Sequence, residues 1–247
     1  MLILDRLSKS HRPLAVALGT FDGLHLGHTA LIAQTVQDAS DQNLESAVFT
    51  FAQHPLSVLR PGNEPGKLVS VPQRHLLYRA MGVQQLCEVD FTPEMAALQP
   101  GEFIHQYLLP AEISLVEVGF NFRFGARGMG DPDFLLHAGK QFGFEVKVLE
   151  PVCVQGEPVS SSRIRQAVAQ GDFAAACSLL GRPYSIQGKC RDGIFETDPG
   201  ICLPNPGRYE VSLENADNAR QAQVRVAGRS ILMPMMLDFE PTQVVFL

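Results

Sequence analysis

A basic excess is what this sequence most plainly lacks: 20 Lys and Arg stand against 26 Asp and Glu, a formal net charge of −6. Without surplus cations to displace phosphate counterions, a general nucleic-acid binder is excluded, although a local basic pocket for a small anion is not. Nowhere do about 18 apolar residues run together, so no transmembrane helix is expected. The start, MLILDR, has neither the charged first stretch nor the long apolar middle of a signal peptide. The five cysteines, Cys87, Cys153, Cys177, Cys190 and Cys202, are odd in number and never spaced C-x-x-C. That spacing argues against a zinc site or a disulfide framework and for reduced thiols in the cytoplasm. Nor is there a G-x-S-x-G nucleophile elbow, and the glycines at 125–130 fall as G-x-x-G-x-G rather than as a dinucleotide fingerprint.

What is present is a chain of 247 residues, 45% hydrophobic, long enough to bury a substantial core. Short apolar runs at 14–18, 47–51, 85–89, 114–118 and 144–149 alternate with helical patterns near 27–39, 72–81, 102–109 and 132–142. Strand then helix, repeated, predicts an α/β fold: a doubly wound, parallel, five-stranded sheet with its ligand at the carboxyl ends of the strands. From Ser161 the pattern is helical. Ser160, Ser161 and Ser162 offer a cap for a helix reaching Gln170, and Asp172 caps another that ends at Gly181. After Pro183 the texture turns to short β-type runs, so the expected division is 1–182 for the α/β domain and 183–247 for a small all-β domain.

The strongest local signal is GTFDGLHLGH at 19–28, directly behind the first strand and leading into a helix. Free N–H groups at that helix start face any bound anion. His25 and His28 add donors three residues apart, and Gly23 and Gly27 keep the backbone clear for a phosphate. A second helix start carries hydroxyls and a guanidinium, Ser161, Ser162 and Arg165, which suit phosphate oxygens equally well.

These residues resemble a known family. GTFDGLHLGH is similar to the GxFDGxHxGH signature of bacterial FAD synthetases, within the HxGH nucleotidyltransferases. VFTFAQHP at 48–55 resembles their TFxPHP segment and VGFNFRFG at 118–125 their VGxNFTFG loop. SSSRIR at 160–165 is similar to SSTxxR, and GRPY closes the series at 181–184. The resemblance implies transfer of AMP from ATP to FMN, giving FAD and pyrophosphate, with Mg2+ carried by ATP and no metal ligands from the protein. It implies that His28, His25 and Arg165 act in catalysis. Gly19, Phe21, Asp22, Gly23, Asn121, Ser161 and Ser162 join them around ATP. His54, Pro55, Arg123 and Arg127 fall on the FMN side. For Asn121 a nucleotide contact and a simple turn asparagine both stand. Ala52 and Gln53 depart from the family's Asp and Pro.

Beyond Tyr184 the chain is similar to parts of the riboflavin kinase barrel that this family carries. SIQGKCRDG resembles its first strand, and LPNPGRYEV and QVVFL later ones, but the PTAN segment is absent. The expectation is a shortened remnant without kinase activity, serving packing or self-association, and an enzyme whose partners are small molecules. Two alternatives remain: an adenylyltransferase for another phosphorylated acceptor, and a flavin or nucleotide sensor without turnover.

Overall fold

The computed structural model describes residues 1–9, 11–234 and 237–247. The chain divides into two units by packing. One comprises Met1–Phe21, Gly27–Glu64 and His75–Val152; the other comprises Asp22–Leu26, Pro65–Arg74 and Cys153–Leu247.

The first unit is built on a parallel sheet. Its strands are β1 (Leu2–Leu4), β2 (Leu14–Leu18), β3 (Glu45–Phe51), β4 (Gln85–Val89), β5 (Ile113–Gly119) and β6 (Glu145–Leu149), in the order β1-β4-β3-β2-β5-β6. Six strands form where five were expected. β1 is only three residues long and its Leu2 and Ile3 are exposed, so it lacks the continuous apolar run that betrays a buried strand. All five residues of β2 are buried, as a central parallel strand requires. Alternate side chains serve opposite faces. Leu14, Val16 and Leu18 join one core with Ile104, Leu108 and Leu135, whereas Ala15 packs with Ala39 and Leu115.

The connecting helices are α1 (Leu26–Asp41), α2 (Leu56–Leu59), α3 (Val71–Ala80), α4 (Pro93–Ala97), α5 (Pro100–Phe103) and α6 (Pro132–Phe142). α5 runs on through a wider π-type turn, Ile104–Leu108. α6 shows why these segments stop where they do. Asp131 accepts from the Phe134 N–H, Pro132 opens the first turn, and Gly143 ends it at φ 84°. From β2 the chain builds outward to β3 and β4, then crosses back to β5 on the other side of β2. The crevice at the carboxyl ends of β2 and β5 is thus the switch point, where open α/β sheets bind ligands.

The second unit holds a short hairpin, β7 (Cys153–Val154) with β8 (Glu157–Pro158), then α7 (Ser161–Gln170) and α8 (Phe173–Leu180). Ser160 caps α7 and Asp172 caps α8, which ends at a left-handed Gly181, as the sequence predicts; α7 likewise ends at Gly171, also left-handed. Six antiparallel strands follow: β9 (Ser185–Arg191), β10 (Ile194–Thr197), β11 (Gly207–Glu214), β12 (Ala219–Ala227), β13 (Ser230–Leu232) and β14 (Gln243–Phe246). They close into a barrel in the order β10-β13-β12-β11-β14-β9. Closure removes the unpaired edges that so small a sheet would otherwise expose. Ile186, Phe195, Val211, Leu213, Val224, Ile231 and Phe246 form its apolar core together with Leu68, Phe173 and Tyr184.

Candidate active site

The GTFDGLHLGH segment turns sharply between β2 and α1. Phe21 (φ 47°) and Leu24 (φ 43°) both take left-handed backbone that side-chain-bearing residues seldom adopt, and Gly23 lies between them at φ 78°. Each such residue costs of order 1 kcal/mol or more, so the surroundings must hold the turn in place. Gly19 is required for a local reason: a Cβ there would lie 2.9 Å from the Phe21 ring. That ring is buried and meets the half-buried His28 imidazole edge-on, with centroids 5.4 Å apart.

In the second unit, Asp22 is the hub. Its carboxylate forms an ion pair with Arg165 and accepts from the Leu68 N–H at 3.4 Å, while its carbonyl accepts from Ser161 Oγ at 2.9 Å. The first turn of α7 is thereby tied to Asp22. Arg165 also donates through Nε to the Gly66 carbonyl at 2.7 Å. Ser162 is exposed on the same helix start. Of the candidate residues, the structure brings Asp22, Ser161 and Arg165 into direct contact.

Arg182 is a participant that the sequence reading missed. Its Nη2 donates to the Gly23 carbonyl at 2.6 Å and its Nη1 to the Leu24 carbonyl at 2.8 Å, gripping the strained part of the turn. Burial lowers its pKa, yet the guanidinium stays charged. GRPY was legible as a motif, but nothing in its spacing says which carbonyls its arginine meets. Burial depresses the pKa of His25 to about 4, the Arg182 charge adding to the effect against a backbone hydrogen bond that opposes it. His25 is therefore a neutral imidazole at pH 7, a hydrogen-bonding group rather than a cation.

The remaining predicted residues lie in the first unit. Asn121 is exposed in the turn after β5. The loop beyond it is closed by a reciprocal pair of bonds between Phe124 and Gly130 (3.1 and 2.9 Å). Arg123 pairs with Asp131 at 3.3 Å, and Arg127 is exposed in a left-handed conformation (φ 54°). His54 accepts from the Leu56 N–H through Nδ1 at 3.1 Å, which starts α2 behind Pro55. The two departures from the family pattern have local partners: Ala52 N–H donates to the Val89 carbonyl and Gln53 Nε2 to the Phe91 carbonyl. Among the described residues no three His, Cys, Asp or Glu side chains cluster as a metal cage.

A profile of the FAD synthetase family matches residues 7–163. The chain belongs to that family. Among its relatives is the bifunctional riboflavin kinase/FMN adenylyltransferase of Pseudomonas fluorescens, 34% identical over 77% of this chain and 61% of the relative. The proteins of the same description from Bacillus subtilis (strain 168) and Escherichia coli (strain K12) are 36% and 33% identical. They are covered over 58% and 57% of their lengths. This FAD synthetase family member therefore spans about 60% of the length of the curated relatives it matches. A crystal structure described as a macrolide-efflux protein from Streptococcus pneumoniae superposes with a TM-score of 0.84 at 24% identity. It covers 99% of this chain and 88% of the other, a likeness of fold. Among the described residues no helix is long and apolar enough to cross a membrane.

One polar group lies away from these residues and was not foreseen. Glu117 of β5 is fully buried. Its carboxyl shares the Thr35 hydroxyl with the Leu31 carbonyl and faces Asp38, which Lys147 Nζ holds at 2.7 Å. Burial and the neighbouring Asp38 carboxylate raise the Glu117 pKa to about 7.

Proposed function

We propose that the chain is an FMN adenylyltransferase, joining AMP from ATP to FMN with release of pyrophosphate. The observation that carries this reading is the Asp22 hub, which ties the α7 start and Arg165 to the HxGH turn. Family membership supplies the chemistry. In that reaction an FMN phosphate oxygen attacks the α-phosphorus of ATP in line and pyrophosphate leaves, so no protein nucleophile is needed. Catalysis is positioning plus neutralisation of growing phosphate charge.

His25, neutral at pH 7, donates from one ring nitrogen to a phosphate oxygen, and His28 donates beside the transferred group. Ser161, Ser162, Arg165 and the α7 N-terminus take the outer phosphates. Gly19, Phe21, Asp22 and Gly23 shape the turn, and Asn121 contacts the nucleoside. His54, Pro55, Arg123 and Arg127 take the flavin side. Mg2+ arrives on the ATP phosphates, which is how that ion usually binds, through substrate oxygens and water rather than a protein cage.

The same reading assigns no riboflavin kinase activity to 183–247, because the PTAN segment is missing and the barrel interior is filled with apolar side chains. Division at 182 separates the transferase chemistry from that barrel. The test is purified protein with ATP, Mg2+ and either FMN or riboflavin, with the flavins resolved by chromatography. FAD from FMN and no FMN from riboflavin is expected. FMN bound without turnover would instead favour the sensor, and AMP transfer to another phosphorylated metabolite would change the acceptor.

A further inference from the structure

Residues 65–70 form a strap with two working faces. One face is laid on the barrel. Lys67 N–H donates to the Gly200 carbonyl at 2.7 Å, and Cys202 N–H donates back to the Lys67 carbonyl at 2.8 Å. Lys67 Nζ pairs with Asp198 at 3.0 Å, and Ser70 Oγ donates to Gln187 at 3.1 Å. Buried Tyr184 fixes the barrel side by donating to the Cys202 carbonyl at 2.6 Å. The approach is close enough that a Cβ on Gly66 would lie 3.1 Å from the Cys202 Cα.

The other face serves the HxGH turn. The Gly66 carbonyl accepts from Arg165, and the Leu68 N–H donates to Asp22. The Leu68 side chain fills the space beneath Gly23, where a Cβ would meet its Cδ1 at 2.7 Å. The same side chain is buried in the barrel core with Ile186, Phe195 and Ile201. A strained turn needs surroundings that over-determine it, and much of this turn's support is anchored in the barrel.

We propose that the barrel is a positioning module for ATP binding, holding Asp22, Gly23 and Arg165 in place through the 65–70 strap. The proposal rests on the adenylyltransferase reading and gives the barrel a role that needs no chemistry of its own.

The test uses the full chain and four proteins: wild type, Lys67→Asp, Asp198→Lys and the double charge swap. ATP affinity with Mg2+ is measured by calorimetry, KM for ATP and for FMN by turnover, and folding by circular dichroism. Each single reversal is expected to weaken ATP binding about three- to tenfold, the range a partly exposed ion pair turned repulsive supplies. FMN KM should stay constant, and the swap should recover most of the loss. Folded single variants with wild-type ATP affinity, a parallel shift in FMN KM, or a swap no better than the worse single variant would each overturn it.

Hydrogen exchange on the wild type tests the same link without substitution. ATP with Mg2+ should slow exchange at the Leu68, Lys67 and Cys202 amides, whereas FMN alone should not. No protection at Cys202 refutes the strap. A wild type that binds no ATP refutes the underlying functional reading instead.

Discussion

Replacing Glu117 with Gln should flatten the pH dependence of stability between pH 5 and 8. Glu117 titrates from an ordinary value of 4.5 when unfolded to about 7 when folded, because it is buried beside Asp38. Between those values the folded state holds a proton that the unfolded state has lost, so stability falls as pH rises. The contribution is present in full below pH 4.5 and is lost by the time pH has passed through about 7. At about 1.4 kcal/mol per pH unit, the loss between pH 5 and 8 comes to about 2.5 kcal/mol. Two neighbouring effects need separating. His25, with its depressed pKa, adds stability as pH rises through 4 to 6.5, the opposite slope. Asp38, whose pKa is lowered by its hydrogen bond with Glu117, titrates below this window. His25 is common to wild type and variant, and a glutamine amide at 117 still offers Asp38 a donor, so between pH 5 and 8 the difference between the two curves isolates Glu117. Urea unfolding followed by far-UV circular dichroism suits a chain without tryptophan. Parallel curves for the two proteins from pH 5 to 8 would show that Glu117 carries no raised pKa, and the reasoning would fail.

Other expectations follow from the site. His25 stays neutral down to about pH 4. The rate profile for ATP should therefore lack a limb near pH 6.5 that His25→Asn removes; finding such a limb would contradict its burial. Arg182→Lys exchanges a two-carbonyl grip for a point charge and should cost about 1–3 kcal/mol in urea unfolding, with a raised KM for ATP. An unchanged midpoint would assign the turn's support elsewhere. Gly125→Ala places a Cβ 2.9 Å from the Pro100 backbone at φ 71°, so about 2 kcal/mol or more should be lost. Thermal unfolding at the wild-type temperature would remove that constraint.

Much of the sheet was legible because parallel strands buried on both faces must be written as apolar runs, and 14–18, 47–51 and 114–118 read that way. The caps of α7 and α8 were legible for a similar reason: Ser160, Asp172 and Gly181 act on backbone groups only a few residues away. β1 was not legible, since three half-exposed residues carry no pattern and gain their strand from β4 alone. The site divided along the same line. GTFDGLHLGH was legible as a glycine-bearing turn leading into a helix, but Arg182 and Leu68 meet it from 158 and 46 residues away, respectively, at distances set by folding.

The sequence by itself determined the α/β class, the caps and the family. Each depends on local periodicity, on backbone hydrogen bonds a few residues apart, or on short motifs. Only the tertiary structure decided that Asp22 is held by Arg165, that His25 is neutral, that Glu117 shares its interior with Asp38, and that the barrel reaches the HxGH turn through residues 65–70. Those properties arise from burial and from charges brought together across long stretches of chain. Dielectric surroundings and partner distances do not exist until the chain has packed.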